Sequence, residues 1–277
     1  MPVPLVSVVI PVFGEANEAF APEAIASVRA QTVPAEIIVV GEEPINGADK
    51  FVRDYGQGVW LARNCGIDEA SGTYIICLDA DDKLEPTYIE KALAMADKAE
   101  DKDKVIVSSH MQEFGLRSNV WDLPVYSKDL LAEANILHCA SMFSKELWAL
   151  SGGYPPAIGY EDWEFWIRLS RLDPEVFIIP ERLLQYRVHS ANSTHTKTHL
   201  DKVLRAMIHF RNPDRYHNYP GRFQESVETI MKMDDDAYRR ITKLLPHAAD
   251  PNLVAFTYLA FQYRKTLVDD RISTDQP

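Results

Sequence analysis

Through the first hundred residues, short unbroken apolar runs alternate with stretches of helical periodicity. Val6 to Val12 (VSVVIPV) is β-branched and apolar on both faces, the pattern of a strand covered on both sides. Pro22 reads as the opening of a short helix carrying Ile25 and Val28. A second buried strand, Glu36 to Val40 (EIIVV), runs into Gly41-Glu42-Glu43-Pro44. Trp60 to Ala70 (WLARNCGIDEA) reads as a helix despite Gly66, stopped at Ser71-Gly72. Tyr74 to Leu78 is a third strand, Thr87 to Lys98 a helix just after Pro86, and Val105 to Ser108 (VIVS) a candidate fourth strand. From about Thr196 the pattern becomes helical throughout: Lys197–Phe210, Phe223–Met231, Asp235–Leu245 and Pro251–Leu267, broken at Asn212-Pro213, Pro220-Gly221 and Pro246.

Strands alternating with helices predict an α/β domain over residues 1–195 with a mostly parallel sheet, followed by a helical C-terminal extension over 196–277. Ligands of such sheets bind beyond the carboxyl ends of the strands. Here those ends carry Phe13-Gly14-Glu15, Gly41-Glu42-Glu43 and Asp79-Ala80-Asp81-Asp82, three polar tips aimed at one crevice.

Charge narrows the ligand. With 29 basic and 41 acidic residues among 277, the formal charge is −12, which repels nucleic-acid backbones and leaves a phosphorylated ligand in need of a cation. No apolar run approaches a membrane span, and the N-terminus lacks the basic leader and cleavage site of a signal peptide. Cys65, Cys77 and Cys139 are widely spaced, fitting reduced thiols of a cytoplasmic protein.

Three readings fit the DxD at Asp79–Asp81: carboxylates holding a divalent cation against a diphosphate, a nucleophilic Asp79 in a haloacid-dehalogenase-like phosphatase, or an acidic turn capping the next helix. Downstream, GGYPPAIGYEDWEFWIRLSRL (Gly152 to Leu172) sets Glu161 and Asp162 at the start of a helix with an apolar side. Carboxylates there suit the helix dipole, and one opposite a metal–diphosphate centre also suits a general base. His195 and His199, four apart, read as surface histidines rather than ligands, and Asp234-Asp235-Asp236 as a helix cap. Leu200, Val203, Leu204, Met207 and Ile208 form a helical stripe suited to docking on the catalytic domain.

The series SVVIPVFGE, EIIVV with its acidic tip, LARNCGIDEASGTYIICLDADD, GGY followed by GYEDWEFWIRL, and YRVHSANS resembles the family 2 glycosyltransferases of the GT-A fold, over roughly residues 5–195. The resemblance implies a non-processive, inverting transferase that moves a sugar from a nucleotide-diphosphate donor to an acceptor hydroxyl, in glycan or polysaccharide biosynthesis. It implies that Pro11, Phe13 and Glu15 line the base and ribose pocket, that Glu42 contacts the base, and that Arg63 lies near the donor. Asp79, with Ala80 beside it, would face the ribose or donor sugar, and Asp81 with His189 would hold Mn²⁺ or Mg²⁺. Asp162 would be the catalytic base, with Glu161 and Trp163 beside the sugars.

Glu42 stands where the family usually has an aspartate; it can accept from uracil N3–H, or from the paired donors of guanine, and a UDP-sugar is the favoured expectation. The QxxRW motif and membrane helices of processive synthases are missing from this sequence. Expected partners are the nucleotide-sugar donor and a glycan or other hydroxyl acceptor, with no nucleic acid and no transmembrane segment; peripheral membrane contact and a homodimer are left open. A non-catalytic nucleotide-sugar-binding scaffold is the second alternative beside the phosphatase.

Overall fold

The structure is a computed structural model that describes residues 5–54, 56, 58–157, 159–190, 201–216, 225 and 228. Backbone packing divides the chain into two units, residues 1–155 with 161–192, and residues 156–160 with 193–277.

The first unit is built on a nine-stranded sheet in the order β3-β2-β1-β4-β8-β6-β9-β5, with β7 pairing outside this path to β6. The first half is parallel, as the unbroken apolar runs of β1 (Val6–Pro11), β2 (Glu36–Gly41) and β4 (Tyr74–Cys77) predict; β3 (Lys50–Arg53), which has no such run, adds an unexpected parallel strand beside β2. The second half is mixed rather than mostly parallel. β8 (Met142–Ser144) joins β4 and β6 (Val105–Gly115) antiparallel, β6 and β9 (Glu175–Val188) run parallel, and β5 (Lys83–Leu84) and β7 (Val120–Trp121) pair antiparallel to β9 and β6.

Helices cover both faces. Val6, Val8 and Ile10 project into a core shared with Ile25 and Val28 of α1 (Gly14–Arg29) and Tyr88 and Ile89 of α3 (Tyr88–Ala96). On the opposite face, α2 (Val59–Asp68) lies so close that a Cβ on Gly66 would sit 2.4 Å from Val9 Cγ1 and 2.9 Å from Val40 Cγ2. That contact explains a glycine inside the predicted helix: the helix gives up propensity for close packing on the sheet. Phe143 of β8 meets Phe165 and Trp166 of α6 (Glu161–Leu169) edge to face. Two further short helices, α4 (Lys128–Glu133) and α5 (Lys145–Ser151), start on Ser127 and Ser144, whose hydroxyls each accept a backbone N–H.

Three expectations change. α1 begins at Gly14, so Pro22 lies inside it; the carbonyl that loses its partner belongs to exposed Glu18. β6 continues to Gly115, well past Ser108, because β9 runs beside it. β9 itself goes unread because Pro180 interrupts its apolar run; the proline falls at the register shift between Ser109 and His110, where the ladder is already broken.

In the second unit, Asp201–Arg211 is helical and buries Leu204, Met207 and Ile208 of the predicted stripe, while Leu200 and the Val203 side chain lie outside the described residues. Tyr160 donates its hydroxyl to Asp201 at 2.6 Å, and Arg211 donates to the Pro156 carbonyl at 2.7 Å. His195, His199, Asp234-Asp235-Asp236 and almost all of the predicted helices beyond residue 217 also lie outside the described residues.

At the end of the sheet away from the acidic tips, buried Glu36 accepts from the Ser7 hydroxyl (2.5 Å), the Ser71 N–H (2.8 Å) and the Ser71 hydroxyl (3.0 Å), and pairs with Lys50 at 2.9 Å. Burial alone would raise its pKa, but these bonds outweigh burial and hold it at about 2. The unfolded chain's glutamate, near the ordinary value of 4.5, binds protons first, so the stability Glu36 supplies is complete above that pH and is lost as pH falls towards about 2. Glu36→Gln is expected to lower stability at pH 7 by about 1–3 kcal/mol and to flatten the decline between pH 5 and 3, measured by urea unfolding across pH; an unchanged acid limb would contradict this.

Candidate active site

Because β1, β2 and β4 are parallel, their carboxyl ends lie on one edge. The Val12 N–H donates to the Val40 carbonyl (2.8 Å) and the Leu78 N–H to the Val9 carbonyl (2.9 Å), so the three tips stay in step. Pro11 closes β1 and is buried, Phe13 is half-buried at the N-terminal boundary of α1, and Glu15 is exposed in its first turn. Glu42 is exposed just beyond β2; its carbonyl accepts from Arg53 at 3.3 Å.

Beyond β4, the acidic loop splits between two sets of partners. Asp79 Oδ1 accepts from Arg63 Nη2 at 2.7 Å, and Asp79 Oδ2 from the Cys139 thiol at 3.4 Å. Arg63 reaches on to Glu161 Oε1 with Nη1 at 2.9 Å. Burial disfavours the guanidinium charge, but the Asp79 and Glu161 carboxylates on either side more than offset it and hold Arg63 protonated. Ala80 is buried between the two acids of the DxD. Asp81 Oδ2 lies 2.9 Å from His189 Nε2, and Asp82 Oδ1 accepts the Arg187 N–H at 2.8 Å. Burial, then the charge of Asp79, pushes Asp81 above the usual carboxylate range; burial, then Asp81 and Asp79, pushes Asp82 up further.

The donors of this loop suit a divalent cation. Asp82 Oδ2 is buried without a hydrogen-bond partner. Ligand atoms of Asp79, Asp82 and Cys139 all lie within 4.8 Å of one another, and the Asp81–His189 pair adds an oxygen and a nitrogen. Carboxylate oxygens with an imidazole and a thiol suit Mn²⁺ at least as well as Mg²⁺.

Asp162 sits one residue into α6, just after Tyr160, whose left-handed φ of 58° turns the chain into the helix. Its Oδ2 accepts from Asn135 Nδ2 at 2.9 Å and its Oδ1 from the Trp163 N–H at 2.8 Å. Burial of the carboxyl and the neighbouring Glu161 charge raise its pKa to about 6, against the pull of Arg63 and these two hydrogen bonds. The Cys139 thiol is pushed up first by burial and then by Asp79, with Asp82 and Asp162 adding to it, so one sulfur lies within electrostatic range of acids from both segments. Trp163 corrects an expectation: it is 1% exposed and donates its indole N–H to the Leu131 carbonyl at 2.6 Å, so the amphipathic helix places it in the core rather than beside a sugar.

A glycosyl transferase family 2 model matches residues 7–125. An uncharacterized glycosyltransferase of Rickettsia prowazekii is 30% identical over 216 residues, covering 70% of this chain and 67% of that protein. The chain belongs to glycosyl transferase family 2. Chondroitin synthase of Escherichia coli is 29% identical over 157 residues, which span 55% of this glycosyltransferase but only 23% of the synthase. Among solved structures, S. aureus TarS 1–349 in complex with UDP-GlcNAc superposes with a TM-score of 0.61 at 13% identity, covering 94% of this chain and 91% of that one. A Pyrobaculum calidifontis mannosyltransferase in complex with GDP-Man and Mn²⁺ gives 0.55 at 16% identity, covering 99% and 88%. The fold of this glycosyltransferase is therefore the α/β GT-A fold. In that family Asp79, bound to Arg63 and Cys139, is not read as a phosphatase nucleophile.

Sequence reasoning singled out Arg63, Asp79, Asp81, Glu161, Asp162 and His189, but missed Asn135, Cys139 and Arg187. Only Arg187 had a signal, through its place in YRVHS.

Removing the Arg63 guanidinium leaves two carboxylates unpaired, one of them 11% exposed. Arg63→Met is expected to cost about 3 kcal/mol, the low end for a broken buried pair, because Asp79 keeps 34% of its side chain in water. Urea unfolding at pH 7 measures it, and a loss below about 1 kcal/mol would mean that the bridge carries little.

Proposed function

We propose that this glycosyltransferase is a metal-dependent, inverting enzyme that moves a sugar from a nucleotide-diphosphate donor, UDP-linked in the favoured case, to an acceptor hydroxyl in glycan or polysaccharide biosynthesis. The observation that carries this reading is Asp162: a carboxyl raised to about 6, held by Asn135, and joined through Glu161 and Arg63 to Asp79 of the DxD. At neutral pH it is ionised yet basic enough to take a proton, which is the requirement for a general base.

Residues 1–195 carry the reaction. Pro11, Phe13, Glu15 and Glu42, at the tips of β1 and β2, take the base and ribose, while Asp79, fixed by Arg63, meets the donor sugar or ribose. Asp81 and His189, with Asp82 beside them, would hold the cation, which would supply positive charge to stabilise the leaving diphosphate. Asp162 removes the proton of the acceptor hydroxyl as its oxygen attacks the anomeric carbon, and the bond to the diphosphate oxygen breaks on the opposite face. A cation there would reconcile the acidic, −12 chain with an anionic donor. Among the described residues no helix is long and apolar enough to cross a membrane.

Base catalysis gives a signed pH dependence. As pH rises through about 6, Asp162 loses its proton and kcat/KM for sugar transfer should rise with it. Asp162→Asn should remove that limb and lower kcat by about 10²–10⁴-fold, while the calorimetric Kd for UDP with Mn²⁺ stays at the wild-type value and below that for GDP. Near-wild-type turnover in the variant would remove Asp162 from the mechanism. Donor binding without turnover in the wild type would favour a scaffold, and tighter GDP binding would assign Glu42 to guanine.

A further inference from the structure

Arg187 is two residues before His189 on the last strand of the sheet, and it grips the acidic loop twice. Its backbone N–H donates to Asp82 Oδ1 (2.8 Å) and its Nε to the Asp81 carbonyl (2.8 Å). Its guanidinium lies between two rings, 4.3 Å from the centroid of Phe20 and 4.4 Å from that of Phe114, and its Nη2 donates to Glu23 at 2.8 Å. Phe20 and Glu23 belong to α1, the helix that begins at the nucleotide-side tip of β1; Phe114 belongs to β6. Phe20 also packs edge to face on His189, centroids 5.2 Å apart. One side chain, 13% exposed, thus joins α1, β6 and β9 to the backbone of the residue assigned to the cation.

We propose that Arg187 is a positioning residue for metal-assisted donor binding: clamped between Phe20 and Phe114 and bonded to the Asp81 carbonyl, it fixes the Asp81 carboxylate and His189 in register for the cation. The inference rests on the assignment of Asp81 and His189 to the metal. The residue type fits the task. A planar guanidinium stacks on both faces while its edge donates hydrogen bonds, whereas an ammonium does one or the other. It also sets a fixed positive charge near Asp82 while its Nε donates to the backbone of Asp81. Groups that orient a metal ligand from behind typically govern metal affinity rather than nucleotide contact. A purely structural Arg187, sealing β9 against α1, would affect all binding alike.

The test is calorimetry of UDP binding to the full chain, in EDTA and across a Mn²⁺ titration, for wild type, Arg187→Met and Arg187→Lys. Methionine keeps the packing between the rings and removes the donors; lysine restores the charge and a single donor. Arg187→Met should raise the Mn²⁺ concentration that half-saturates the enhancement of UDP binding by about 10–100-fold, leave UDP affinity in EDTA unchanged, and regain wild-type UDP affinity at high Mn²⁺. Arg187→Lys should fall between the two. Equal loss of UDP affinity with and without Mn²⁺, or no shift in the Mn²⁺ midpoint of either variant, overturns the proposal. If Arg187→Met does not fold, the Lys variant alone decides by the same midpoint. Wild-type UDP binding that ignores Mn²⁺ would sink the metal assignment itself, and this inference with it; a Mn²⁺-dependent wild type with unshifted variants sinks only the role of Arg187.

Discussion

The Arg63 guanidinium, 2% exposed, lies between the carboxylates of Asp79 at 2.7 Å and Glu161 at 2.9 Å. A cation so deeply placed is tolerable only with both partners in position, since an unpaired buried charge costs several kcal/mol. Forming the core of this unit therefore brings the acidic loop after β4 and the start of α6 to the same place. Gly66, one turn along α2, lets the helix approach Val9 and Val40 closely enough to deliver Arg63 beneath the strand tips. The acids after β4 and those at the start of α6 are thereby positioned by the same packing that stabilises the fold.

The bridge also separates the roles of the acids around it. Glu161 spends its charge on Arg63, and that same charge, after burial, pushes the adjacent Asp162 up to about 6. At Asp81 and Asp82, burial and repulsion from the neighbouring aspartates outweigh the pull of His189 and Arg187 and raise both carboxyls. The Arg63 bridge and burial thus divide five neighbouring carboxylates into two anchored on a cation, Asp79 and Glu161, and three, Asp81, Asp82 and Asp162, whose charged form burial disfavours.

β1, β2 and β4 were legible because strands buried on both faces are written as continuous apolar runs, with polar tips after Pro11, Gly41 and Leu78; β3, short and only partly buried, carries no such run. The mixed half was not legible. Pro180 disguised β9, and β8 is three residues long, so its antiparallel place between β4 and β6 depends on partners far along the chain. The site divided in the same way. Asp81, Asp162 and His189 stand in local motifs, but Arg63 meets Glu161 across 98 residues and Arg187 meets Asp81 across 106, and no periodicity encodes such pairings. Trp163 shows the opposite error: its motif suggested a ligand contact, whereas its spacing with Trp166 and Ile167 already marked the buried side of α6.

The central claim is that Arg63 makes one energetic unit of Asp79 and Glu161. A double-mutant cycle in urea unfolding, with Asp79→Asn, Glu161→Gln and the pair, tests it without need of a substrate, once in the native background and once in a chain lacking the Arg63 guanidinium. With Arg63 present, the two changes should be non-additive by about 1 kcal/mol or more; without it, they should add within about 0.5 kcal/mol. Additive effects in the presence of Arg63 would show that the two acids are held independently, and the account of a single coupled site would fall.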